Sequence, residues 1–242
     1  MSLHINIPPN DGSYCHSVNG LGDALACFDL PVRWFDSTGS TNDEAKKIAA
    51  KNEIRKAVLF AAAFQTQGRG QREKKWAAPQ GSCILTSVAV PPEWVSWNPL
   101  LFKWAGAWAV CETCVYFGVS NVTIKLPNDV LVNGKKISGI LLETAYREGR
   151  LISCVLGVGI NVSFKTLPDS ETFPLPPTSF ALEKISVTLS DVYRTWVEKM
   201  DALLSEFQKR NASLADRIEP WVREQDRRQF HKEIVPVSKG RT

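Results

Sequence analysis

Apolar and polar positions alternate in blocks that predict short strands separated by helices. Residues 57–65 (AVLFAAAFQ) and 83–90 (CILTSVAV) are apolar runs bounded by glycine or proline, the pattern of strands buried on both faces. Between them lies a glycine-bearing loop. Upstream, RWFDSTGSTNDEAKKIAAK (33–51) reads as a strand end, a small polar turn and a helix, with Thr41 or Asn42 as N-cap and acids at 43 and 44 in its first turn. Residues 100–118 form an apolar helix stopping at Gly118, and VTIKL (122–126) is a strand ending at Pro127. VLVNGKKI (130–137) carries Asn133-Gly134 between apolar flanks, which predicts a type I′ hairpin. A second hairpin is expected over 139–162, turning at Glu148-Gly149. A proline-rich loop (168–179), a helix over about 189–210 and a final segment, KEIVPVSKGRT, that begins like a strand complete the chain. Mixed strands with helices between them predict one α+β domain built on a mixed sheet.

The first thirty residues, with Pro8-Pro9, Asp11-Gly12, Gly20 and Gly22, predict an irregular arm too short for a winged-helix domain. They lack the pattern of a secretory signal, and the 100–118 run contains Lys103 and Glu112, so the expectation is a cytoplasmic protein with no membrane span. The 242 residues are 44% apolar and 22% charged with net charge +4, too weakly basic for a dedicated nucleic-acid binder. Six dispersed cysteines include one CxxC, Cys111 and Cys114, on a predicted helix, which favours buried thiols over a metal site. The histidines, 4, 16 and 231, lie near the ends, away from the other motifs, which argues against a histidine triad.

Candidate chemistry concentrates in three places. QTQGRGQREKKW (65–76) puts Gly68 and Gly70 beside Arg69, Arg72, Lys74 and Lys75, suiting either a phosphate-bearing ligand or a solvated charged loop. KLPNDVLVNGKKISGILLET (125–144) gathers Lys125, Asn128, Asp129, Lys136 and Gly139 at strand ends, where carboxylate, amide and ammonium can hold a metal or orient an anion, or else form an exposed hairpin. GVGINV (157–162) places Asn161 at the end of a buried strand, as a ligand contact or a turn former.

Together, STGSTNDEA, QTQGRGQREKKW, KLPNDV, KKISGILLE and GVGINV, in this order and at these intervals over residues 32–165, resemble the catalytic domain of biotin protein ligases. The resemblance implies a class II synthetase-like fold over about 31–227, with 228–242 at the start of a truncated or absent SH3-like barrel, and a form lacking a DNA-binding winged helix. It implies that biotin and ATP, with Mg²⁺, give biotinyl-5′-AMP, and that biotin then passes to a lysine of a carboxylase biotin carrier domain; a homodimer is compatible. Carried over by position, Ser40, Thr41, Asn42, Gln65, Gly68, Arg69, Lys136 and Gly139 would receive biotin. Gly70, Arg72, Trp76, Asn128 and Asn161 would serve the nucleotide. Lys136, Arg69 and Asp129 would be catalytic, with Asp129 the candidate magnesium ligand.

Against the family's GRGRxGRxW loop, Gln71, Glu73 and Lys74 are departures that predict looser retention of the adenylate. Leu126 stands where a tryptophan is usual, predicting a shallower or repacked biotin pocket wall. The alternatives are a biotin or adenylate sensor without transfer activity and, less favoured because its RRxSGGG-type motif is missing, a lipoate or octanoyl transferase.

Overall fold

Among the described residues, seven strands form one sheet: β1 (Val32–Phe35), β2 (Val58–Ala62), β3 (Cys83–Val90), β4 (Val122–Lys125), β5 (Asp129–Val132), β6 (Lys135–Arg147) and β7 (Arg150–Asn161). Their order is β1-β2-β3-β7-β6-β5-β4. Only β1 and β2 run parallel; the other neighbours are antiparallel. The computed structural model describes residues 30–49, 54–71, 74–166 and 175–234. The expected N-terminal arm to residue 29, Arg72, Glu73 and the barrel segment from 235 lie outside the described residues.

Both hairpins form where the sequence puts them, with positive φ at Asn133 and Gly134 (50° and 77°) and at Glu148 and Gly149 (50° and 74°). The side-chain period of two divides the sheet between two cores. Ile84, Val88 and Val90 face the larger one with helices α3 (Pro99–Tyr116) and α4 (Leu189–Gln208). Phe60, Ala89 and Val155 face the other way, under α1 (Thr41–Ala49). Helix α3 is apolar on nearly all sides because α4 covers the face turned from the sheet. Its Cys111 and Cys114 are buried, and burial pushes both thiols well up. No described helix is long and apolar enough to cross a membrane.

Short helices α2 (Pro92–Val95) and α5 (Leu214–Ile218) precede α6 (Glu224–Ile234). Helix α6 corrects the strand expected from Lys232. The Ile-Val pair suggests a strand, but Phe230 is buried in the main core and Glu233 accepts hydrogen bonds from Lys103 Nζ (3.0 Å) and Trp104 Nε1 (3.1 Å) of α3. Tertiary contacts on one face therefore select the helix, and the folded unit continues past 227. At the helix start, Asp226 Oδ2 accepts from Leu126 N (3.2 Å) and pairs with Arg223 (2.7 Å), tying α6 to the end of β4.

Candidate active site

Helix α1 is capped one or two residues before the predicted Thr41 or Asn42. The Ser40 carbonyl accepts from the amides of Asp43 (3.0 Å) and Glu44 (3.1 Å), so Ser40 holds the cap position. This frees Thr41 and Asn42 to turn their side chains onto the sheet. Thr41 donates from its amide to Gln65 Oε1 (2.7 Å), and its Oγ1 lies 3.0 Å from that oxygen and 2.7 Å from Ser87 Oγ. The Ser87 hydroxyl donates to Asn42 Oδ1, and Asn42 Nδ2 donates to Glu143 Oε2 at 2.6 Å. A continuous polar wall thus joins α1, β3, β6 and the start of the glycine loop.

The floor beside this wall is bare backbone. Gly139 of β6 pairs in register with Gly159 of β7, and Leu141 with Gly157. The Trp76 indole lies on this floor: a Cβ at Gly159 would sit 2.5 Å from Trp76 Cε2, and one at Gly139 2.8 Å from Cζ3. Two residue pairs along, on the same face, a Cβ at Gly157 would meet Asn42 Oδ1. Packed on the glycines, Trp76 leaves a cavity of about 40 Å³ lined by Ser40, Thr41, Asn42, Gln65 and Arg69, among others. On its other side a cavity of about 340 Å³ is lined by Lys74, Lys75, Lys125, Asp129 and Asn161, among others. Trp76, Lys136, Asn128 and Gly70 border both. The indole Nε1 is buried and has no hydrogen-bond acceptor among the described residues.

Lys136 stands at this boundary. Its backbone is fixed by bonds to Pro176 O and from Thr178 N, both 2.8 Å, and its ammonium lies 2.6 Å from Asp129 Oδ1 and 5.5 Å from the Trp76 ring centre. Lys125 approaches the same carboxylate at 3.7 Å. Asn161 is buried, and its Nδ2 donates to the carbonyls of Thr178 (2.9 Å) and Lys136 (3.3 Å), so its amide shapes the cavity through the backbone. Among the described residues lining the larger cavity, Asp129 is the only carboxylate. Such a donor set fits Mg²⁺ carried in by nucleotide phosphates, since that ion commonly takes one or two carboxylates beside phosphate oxygens. No described cluster of three His, Cys, Asp or Glu residues could form an all-protein metal cage.

The glycine loop folds back on itself, with Trp76 N donating to Gly68 O (2.9 Å) and Gly70 N to Lys74 O (2.6 Å). Arg69 is held by both oxygens of Asp43 (2.6 and 2.7 Å) and approaches Glu143 (3.4 Å), while Lys46 bridges Glu143 (2.8 Å) and Asp43 (3.0 Å). The Arg69 hydrogen bonds hold the Asp43 carboxyl below its ordinary value against a smaller opposing effect of burial, with Lys46 helping. Burial pushes Glu143 upward, but Lys46 and Asn42 outweigh it and hold that carboxyl low as well. Both carboxylates are depressed by folding, so their stabilisation is complete above the ordinary carboxylate range and is lost as pH falls through and below it. The Arg69 Nε–H resonance is accordingly expected to stay constant from about pH 8 to 5 and to shift only below about pH 4 in an acid titration followed by NMR.

Residues 34–161, just over half of the chain and the span that builds this site, match the biotin/lipoate A/B protein ligase family. The chain belongs to that family. Among its relatives, the bifunctional ligase/repressor BirA of Bacillus spizizenii is 33% identical over 139 residues, covering 57% of this chain and 41% of that protein. The biotin–[acetyl-CoA-carboxylase] ligase of Paracoccus denitrificans is 33% identical over 147 residues, 59% of each chain. This family member thus spans less than two thirds of either relative's length. The fold is also that of the biotin protein ligase from Aquifex aeolicus solved with biotin and ATP, at TM-score 0.66 and 22% identity over 81% of this chain and 79% of that one.

Within this ligase-family site, the structure brings together Ser40, Thr41, Asn42, Gln65, Arg69, Gly70, Trp76, Asn128, Lys136 and Gly139 around the smaller cavity, and Asp129 and Asn161 around the larger. Gly68 underlies the Trp76 backbone, where a Cβ would lie 2.7 Å from Trp76 O. Leu126 lines neither cavity. Its side chain is in the main core. Sequence reasoning missed Ser87, Lys46, Asp43 and Glu143 as site residues. Glu143 ends the quoted GILLE motif, four residues after Gly139 and on the same strand face, which is the available signal.

Proposed function

We propose that this chain is an ATP-dependent biotin protein ligase that forms biotinyl-5′-AMP and transfers biotin to a lysine of a carboxylase biotin carrier domain. The observation that carries the reading is the position of Lys136 between a small polar-ended cavity and a larger cation-rich one. A ring-bearing acid in the first and a nucleotide in the second would meet at this ammonium. The names of the curated relatives and the biotin–ATP complex of the Aquifex protein support the choice of ligands.

In this reading the polar wall from Ser40 to Asn42, with Gln65, receives the biotin ring, and the bare floor at Gly139 and Gly159 admits it once the indole moves aside. Gly68 and Arg69 close over the acid, while Gly70, Arg72, Trp76 and Asn128 serve the nucleotide. Asn161 acts on that cavity through the carbonyls it binds. Biotin's carboxylate attacks the α-phosphorus, and the bond to the bridging oxygen of pyrophosphate breaks. Lys136 reduces the repulsion between the two anions, a role worth several kcal/mol in comparable sites. Asp129 holds Lys136 in place and is the candidate ligand for Mg²⁺, which would neutralise the departing pyrophosphate. The carrier lysine, neutral when it attacks, then takes the acyl group and AMP leaves. The folded loop keeps water from the mixed anhydride. We place the reaction in the cytoplasm, which suits the free thiols at the four described cysteines.

Incubation with ATP, Mg²⁺ and biotin, followed by addition of a biotin carrier domain, tests the proposal. Pyrophosphate release and a streptavidin-reactive carrier are expected. Biotin binding without pyrophosphate release would overturn the ligase reading in favour of a sensor.

A further inference from the structure

We propose that Glu143 is a positioning residue that fixes the hydrogen-bond direction of the pocket's polar wall and thereby sets its fit to a cyclic urea. The inference rests on the biotin-ligase reading and deepens it. A carboxylate only accepts hydrogen bonds, so Asn42 must turn its NH₂ toward Glu143, to which it donates at 2.6 Å. Asn42 Oδ1 then faces Ser87 and takes that hydroxyl's one proton. With its proton committed, Ser87 Oγ is left as an acceptor for the Thr41 hydroxyl 2.7 Å away, whose one proton also has Gln65 Oε1 within reach at 3.0 Å. Gln65 Oε1 is held by the Thr41 amide at 2.7 Å, so Nε2 is the part of Gln65 left to donate to a ligand carbonyl. One largely shielded anion thus sets the hydrogen-bond direction of Asn42 and Ser87 and, through them, of the wall that Thr41 and Gln65 continue.

Glu143 also fixes the two parts that meet at this wall. Its Oε1 takes Lys46 of α1 at 2.8 Å, and its Oε2 lies 3.4 Å from Arg69 of the loop. Only 28% of its side chain is exposed, so neutral substitutes lose the ion pairs as well as the direction.

The test uses Glu143→Gln, which keeps the shape but offers Asn42 either a donor or an acceptor. Its biotin Kd, measured by calorimetry, is expected to rise at least about tenfold with little change in thermal midpoint, because the wall then samples both directions. The Asn42→Asp/Glu143→Gln pair restores one direction: the carboxylate introduced at position 42 accepts both from the NH₂ of the glutamine introduced opposite it and from Ser87, and the net charge is unchanged. That double variant is expected to recover most of the lost affinity. An unchanged Kd in Glu143→Gln, or a double variant no tighter than the single one, would overturn the proposal. Exchange of the Thr41 amide and the Gln65 side-chain NH₂ in the ligand-free protein gives a second readout. It should accelerate about tenfold in the single variant and slow again in the double. If the parent chain binds no biotin, the ligase reading fails, while the exchange pattern still decides the role of Glu143.

Discussion

Replacing Lys136 with glutamine is expected to lower pyrophosphate release about 10²–10³-fold while leaving biotin binding within a few-fold of the parent. In the proposed reaction the ammonium would stand where two anions approach, and glutamine keeps length and polarity but removes the charge. Asp129 would lose its partner at 2.6 Å and retain only Lys125 at 3.7 Å, so residual negative charge on the boundary would add to the repulsion. Single-turnover kinetics with saturating biotin separates this from a binding defect. A rate within threefold of the parent would remove Lys136 from the chemistry. A thermal melt on the same sample guards against the trivial outcome, since the Lys136 backbone, held by Pro176 and Thr178, is untouched.

Gly159→Ala is the second substitution with a large expected effect. The new methyl would lie 2.5 Å from Cε2 and 2.6 Å from Cζ2 of Trp76, and an indole cannot bend to make room. The glycine is locked on both sides, to Leu85 of β3 and Gly139 of β6, so the ring must leave. The same methyl would stand in the way of any ring that takes the indole's place, and a misplacement of this size costs about 10² in binding or rate. Calorimetry with biotin checks the loss, and the Trp76→Ala/Gly159→Ala double variant completes the cycle. Strong coupling between the two changes is expected in the ligand-free melt. Additive effects would mean that the indole does not rest on this floor.

How much of this could be seen in the chain depends on the range of the cause. The NG and EG turns are local, and their positive φ values follow from two residues each. The five motifs also fall around one boundary, because strand ends at 125–129, 136–139 and 159–161 are neighbours in the sheet. What escaped the sequence is set by distant partners. Glu143 meets Asn42 across 101 positions and Arg69 across 74, and nothing near any of them announces the other. Helix α6 shows the same limit: the Ile-Val pair after Glu233 has strand-forming character, and the burial of Phe230 with the bonds of Glu233 to Lys103 and Trp104 on α3 makes the segment helical. Leu126 misleads for the opposite reason, since its place in a motif suggests that it faces the ligand, whereas its backbone is drawn toward Asp226 and its side chain into the core.

Strand β6 carries Lys136, Gly139 and Glu143, and its register against β7 is unbroken from Ser138 to Ala145. At about 3.3 Å per residue, Glu143 and Lys136 are at most about 23 Å apart along the strand. A pleated strand bonded on both sides over part of this length does not stretch, so in the proposed reaction it would act as a ruler, with the urea end of biotin read near one mark and its carboxylate at another. Acids with the same ring but a side chain one methylene shorter or longer should therefore bind almost as well yet react poorly, because the ring seats correctly while the carboxylate misses the ammonium. Discrimination by chain length would then reside in turnover rather than in affinity.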